Sequence, residues 1–135
     1  MAALFLDTNV LVYAFSTDPR GAVAEELLRA EFVVGVQGLN EFANVARRKL
    51  GMDWPQTREA LAAIRTLAAS VQPLDAGTHD MALDIAERHR LSFYDALMTA
   101  AAVQAGCAIF CSEDLQDGFV VANRLRVENP FAIRE

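Results

Sequence analysis

The chain has 135 residues and a net charge of −6, with 53% hydrophobic and 22% charged residues. That length suits one domain, 1–135, which can bury about two thirds of its unfolded surface without a disulfide or structural metal. No secretory leader is visible, and no apolar run reaches the ~18 residues of a membrane span, so a soluble cytoplasmic protein is expected.

In chain order, residues 3–6 read as a short core strand ending at Asp7, and residues 10–15 continue as a turn or two of helix. Asp18 and Pro19 form a helix start, with Asp18 as cap and Pro19 in the first helical position. The helix over 20–31 carries Val23, Leu27 and Leu28 at helical spacing. Residues 32–36 form a second buried strand, followed by a helix over 38–50 that Gly51 ends. Asp53, Trp54 and Pro55 open a helix to about residue 69, with Leu61, Ile64 and Leu67 inward. A brief strand lies at 71–74, a helix at 75–90, and a helix from Ser92 to Gly106. Cys107 to Cys111 is a fourth strand, 112–118 a polar loop, and 119–121 with 126–127 a last strand or bulged edge. The tail, 129–133, is extended. Strands alternating with helices predict an α/β fold built on a parallel sheet.

Cys107 and Cys111, the two cysteines of the chain, cannot complete a zinc site with two distant histidines, and they read as buried thiols. The acidic balance argues against a nucleic-acid binder unless the acids gather at a metal, where bound cations invert the local field. Lys49 is the single lysine; the other basic residues are arginines.

Of four candidate acids, three stand just after a strand or on the turn that begins a helix, as one rim of such a sheet would place them. Asp7 follows the first strand, either as a helix cap or as the first member of a site. Glu41 lies in the first turn of the helix after the second strand, where it could simply complement the helix dipole. Asp95 closes a Ser-x-x-Asp capping box with Ser92. Asp114 follows the fourth strand in a turn rich in Asp and Gly, where Glu113 and Asp117 compete with it. Each has a local explanation, yet together they would set four carboxylates at one edge. Hard divalent cations with oxygen ligands, Mg²⁺ or Mn²⁺, resolve the repulsion, and the chemistry that suits them is phosphodiester hydrolysis.

The motifs Leu6-Asp7-Thr8-Asn9-Val10-Leu11, Asn40-Glu41-Phe42, Tyr94-Asp95-Ala96 and Ser112-Glu113-Asp114-Leu115, in that order, resemble those of the PIN-domain family, and within it the VapC-type ribonuclease toxins. The resemblance covers nearly the whole chain. It implies a three-layer α/β/α sandwich with a short, mainly parallel sheet. It also implies a Mg²⁺- or Mn²⁺-dependent endoribonuclease, the toxin of a toxin–antitoxin pair, that forms a homodimer and is inhibited by a cognate antitoxin. Asp7, Glu41, Asp95 and Asp114 would be both the catalytic residues and the metal ligands. Thr8, Asn9 and Ser112 would orient them, and Arg47, Arg48 and Lys49 could meet RNA phosphates. An antitoxin segment would lie along the helices at 19–31 and 55–69.

Three other readings fit less well. A phosphotransfer enzyme with an aspartate nucleophile lacks a second acid at Asn9 and any lysine after Lys49. A dinucleotide-binding fold lacks a G-x-G-x-x-G after the first strand. A catalytically inert PIN-like module that binds RNA or protein remains the alternative, against which stands the retention of all four acids.

Overall fold

The computed structural model describes residues 3–132. Along them run β1 (Leu4–Leu6), α1 (Thr8–Ala14), α2 (Gly21–Arg29), β2 (Phe32–Gly35), α3 (Val36–Arg48), α4 (Trp54–Leu67), β3 (Ser70–Gln72), α5 (Ala76–His89), α6 (Phe93–Gln104), β4 (Ile109–Cys111), β5 (Val120–Val121) and β6 (Leu125–Glu128). The sheet order is β3-β2-β1-β4-β6-β5. Every pairing is parallel except β5 with β6, which is antiparallel. The chain winds outward from β1 on one side and returns beside it as β4. In open α/β sheets, ligands bind outside the carboxyl ends of the strands where the winding reverses, which here means the ends of β1 and β4.

Side chains of a strand alternate between faces, and the core divides accordingly. Phe5, Val33 and Phe110 face one way, onto Ile85 of α5 and Leu97 and Ala101 of α6. Leu6, Phe32, Val34 and Cys111 face the other way, onto Val10, Ala24, Phe42 and Ile64 of α1 to α4. The molecule is therefore the expected three-layer α/β/α sandwich around a short, mainly parallel sheet. Residues Ala96 to Val103 of α6 are all buried, as for a helix apolar on every side. No helix among the described residues is long and apolar enough to cross a membrane.

Several elements depart from the expectation. Helix α3 starts at Val36 because β2 stops at Gly35, the last residue paired with β3. Glu41 therefore sits in the second turn, and the first turn of α3 holds no acid. Asp18 does not cap α2. Its carboxylate accepts from the backbone N–H of Arg20 (2.9 Å) and pairs with that residue's guanidinium (2.8 Å), so the helix begins only at Gly21. Val23 and Leu67 are 41% and 55% exposed rather than inward, and the small side chains of Ala24 and Ala60 take the buried positions. Cys107 precedes β4, and the two thiols lie in cores on opposite faces of the sheet. The tail is not fully extended. Ala132 N–H bonds back to Asn129 O, and the Phe131 ring meets Tyr13 edge-on; Ile133 lies outside the described residues.

Candidate active site

The first acid is both cap and site residue. The Asp7 N–H donates to Cys111 O (3.1 Å), which carries the β1–β4 register one residue beyond the strand. Its Oδ1 accepts from Thr8 N–H (2.7 Å) at the start of α1, and its Oδ2 accepts from Ser112 Oγ (2.8 Å). Ser112 is fully buried, and its Oγ also accepts from the N–H groups of Asp114 (3.3 Å) and Leu115 (3.4 Å). One hydroxyl thus holds the first acid and shapes the turn that carries the fourth.

The next two residues extend the arrangement. Thr8 Oγ1 donates to Glu41 Oε1 (2.7 Å), and Gln37 Nε2 donates to Glu41 Oε2 (2.6 Å). Asn9 Nδ2 donates to Asp114 Oδ2 (2.9 Å). In α6, Ser92 Oγ accepts from Asp95 N–H (3.4 Å), which is the serine half of a capping box. Asp95 does not complete the box, and the residue lines a cavity instead.

Asp7, Glu41, Asp95 and Asp114 all line one cavity of about 230 Å³. Asn44 and Val45 of α3 and Tyr94 and Met98 of α6 form its walls. The electrostatics record the crowding. Burial pushes the Asp7 carboxyl up to about 6, opposed by its bonds to Ser112 and Thr8 and reinforced by the charges of Asp114 and Glu41. Asp114 is also raised, first by burial and then by the charges of Asp95 and Glu113.

Neither competing acid of the loop lines this cavity. Glu113 turns outward, accepting from the Tyr13 hydroxyl (2.6 Å) and from Arg20 (2.9 Å). Arg20 also stacks 4.2 Å above the Tyr13 ring. Burial and the Glu113 carboxylate push the Tyr13 phenol up to about 12. Asp117 accepts from Asn129 N–H (2.9 Å) and lines a different cavity with Arg126 and Glu128. The basic cluster divides as well. Arg47 stacks 4.4 Å over Trp54 and donates to Met52 O (2.9 Å). Arg48 is exposed, four residues after Asn44 and seven after Glu41, on the helix stripe that lines the cavity.

Sequence reasoning missed Gln37 and the Tyr13–Arg20 pair. Gln37 lies four residues before Glu41 on one helix face, a signal readable once α3 is known to start at Val36. The contacts from Tyr13 and Arg20 to Glu113 join residues far apart in the chain and carry no local signal.

The donors suit a hard cation. They are oxygens only, they converge on one cavity, and burial, joined by the neighbouring carboxylate charges, raises two of the carboxyl groups. Among the described residues no three His, Cys, Asp or Glu side chains stand close enough to hold an ion by themselves.

Residues 4–120 match the family model described as PIN domain. A search of curated proteins finds no match. Among solved structures, the fold is shared with VapC20 of Mycobacterium tuberculosis, described as a sarcin–ricin loop cleaving toxin. That chain is 22% identical with a TM-score of 0.66, over 83% of this chain and 92% of the other. A toxin–antitoxin complex from Klebsiella pneumoniae matches over 98% of this chain and 100% of the other, at 18% identity and a TM-score of 0.73. VapBC2 of Rickettsia felis, bound to a DNA fragment from its promoter, matches over 94% and 99%, at 15% identity and a TM-score of 0.67.

Proposed function

The chain belongs to the PIN-domain family, and on that premise we propose that residues 1–135 act as one metal-dependent endoribonuclease domain, the toxin of a toxin–antitoxin pair. The observation that carries the reading is the placement of Asp7, Glu41, Asp95 and Asp114 around one cavity at the ends of β1 and β4. Asp7, Asp95 and Asp114, completed by Glu41, would hold Mg²⁺ or Mn²⁺. When bound, the cation supplies activation of the attacking water and charge stabilisation of the leaving oxygen.

The chain's own residues set the geometry for that chemistry. Ser112 and the Thr8 N–H hold both oxygens of Asp7, so the carboxylate cannot rotate away from the cavity. Thr8 and Gln37 take one oxygen each of Glu41, fixing its plane. Asn9 ties Asp114 to the start of α1, linking the first and fourth motifs. Arg48, exposed at the end of the same stripe, is placed to meet a backbone phosphate outside the cavity.

The partners follow from the same reading. A cognate antitoxin would cover the exposed Val23 of α2 and Leu67 of α4 and bring a cationic side chain to the acidic cavity. The relatives in complex with antitoxins support that partner in kind. The active form would be a homodimer in the cytoplasm. Incubating the purified protein with total RNA and Mn²⁺ and sequencing the new 5′ ends tests the activity. Discrete cuts made by the parent and lost in both Asp7→Asn and Asp95→Asn support it. Undiminished cleavage by a folded Asp7→Asn variant overturns the assignment, and a folded parent that binds no Mn²⁺ points to an inert module instead.

A further inference from the structure

We infer that the Tyr94 ring is the platform on which a nucleobase flanking the scissile phosphate stacks, an inference that rests on the nuclease reading above. Tyr94 is 66% exposed, more than any other large apolar side chain among the described residues, and it lines the cavity that holds the four acids. It is the one aromatic residue among those that line it. Its neighbour in the chain is Asp95, and Met98, one turn further along α6, continues the same wall.

The ring is held at the rim without being covered. Phe93 contacts it edge-on at 5.7 Å between centroids, and His79 of α5 supports Phe93 at 5.4 Å. The other strongly exposed aromatic, Trp54, already has its face covered by the Arg47 guanidinium. Tyr94 has no such partner among the described residues. A supported aromatic face that costs little side-chain freedom to use suits stacking.

The geometry favours a nucleobase over other occupants. A nucleotide whose phosphate enters the acid-lined cavity would have its base within reach of the wall that carries Tyr94. The acidic floor repels bare phosphate, so contacts to bases gain weight relative to phosphate contacts. Stacking on a tyrosine is tolerant of sequence, because every base has a π face. Arg48, beyond the α3 residues that line the cavity, and Tyr94, on its α6 wall, would thus divide the work, one reading phosphate and the other a base.

The test uses a synthetic single-stranded RNA spanning a cut mapped in total RNA, in two forms: intact, and abasic at the nucleotide on either side of the cut. Tyr94→Ala, Tyr94→Phe and Tyr94→Trp are compared with the parent. The expected result is that Tyr94→Ala raises KM for the intact RNA about tenfold, while Phe and Trp keep the parental value. On the abasic RNA the parent falls to the level of Tyr94→Ala, and the substitution has no further effect. An equal loss for Tyr94→Ala on both RNAs, or no loss on either, overturns the inference while leaving the nuclease reading intact. An altered oligomeric mass with unchanged RNA kinetics assigns the ring to a protein contact and likewise overturns it. If the folded parent cuts no RNA, the nuclease reading fails and the inference fails with it.

Discussion

Asp7 caps α1 through Oδ1, accepts a hydrogen bond from Ser112 through Oδ2, and is buried beside Asp114 and Glu41, so burial and then those charges make its ionisation oppose folding while its hydrogen bonds support it. Its carboxyl moves from 3.8 to about 6 on folding. A raised folded-state value means that the protonated form is favoured by the fold. The stability this provides is complete below about pH 4 and is lost as pH rises through about 6, up to about 3 kcal/mol. Asp7→Asn removes that loss. With divalent cations chelated, its melting temperature should exceed the parent's by several degrees at pH 8 and equal it near pH 4. A lower melting temperature at both would show that the lost carboxylate hydrogen bonds outweigh the relieved repulsion. In the adjacent loop, Glu113→Gln should leave RNA cleavage near the parental rate, because Glu113 serves Tyr13 and Arg20, whereas Asp114→Asn should abolish it. Burial pushes the thiols of Cys107 and Cys111 up to about 11 and about 12. A disulfide reagent at pH 8 should therefore label neither in the folded protein and both after unfolding; fast labelling of the native state would contradict their burial.

Helix α1 carries Thr8 and Asn9, so its seating decides where two of the bonds that hold the acids begin. Gly21, the first residue of α2, is what lets α2 approach it: a Cβ there would lie 2.9 Å from the Tyr13 carbonyl oxygen. Backbone cannot yield as a flexible side chain can. Gly21→Ala should cost about 1–3 kcal/mol, lowering the melting temperature by several degrees, and should reduce cleavage by shifting α1. Unchanged stability and activity would mean that α2 can move alone. This contact was not legible in the sequence, where Asp18 and Pro19 look like an ordinary helix start. Capping residues mark helix ends well when nothing competes, as at Asp53 and Asp75, which both form the full box. Asp18 failed as a cap because Arg20 captured its carboxylate. Val23 and Leu67 show the limit of periodicity: it finds a helix face, but close packing between helices can prefer alanine there and leave the larger side chain outside.

At the scale of the whole molecule, alternation of strands and helices made the fold class legible, but not the sheet order. Seating β4 beside β1 is a long-range pairing, and it alone brings Ser112 to Asp7 and Asp114 to Asn9. The four acids could be picked from their motifs; Gln37, the partner of Glu41, depended on a helix boundary, and the Tyr13 and Arg20 contacts that turn Glu113 outward depended on tertiary structure. That convergence gives a net charge of −6 an uneven distribution, with carboxylates concentrated at one rim of the sheet. A ligand that binds only the folded state stabilises it by RT ln(1 + [L]/Kd), about 2.7 kcal/mol at one hundred times Kd. Mn²⁺ should therefore raise the parent's melting temperature by several degrees and leave Asp7→Asn nearly unmoved. The shift should be larger at pH 8 than at pH 5, because below about 6 the cation must displace a proton from Asp7. Equal shifts in parent and Asp7→Asn, read by calorimetry at both pH values, would place the bound cation away from this cavity.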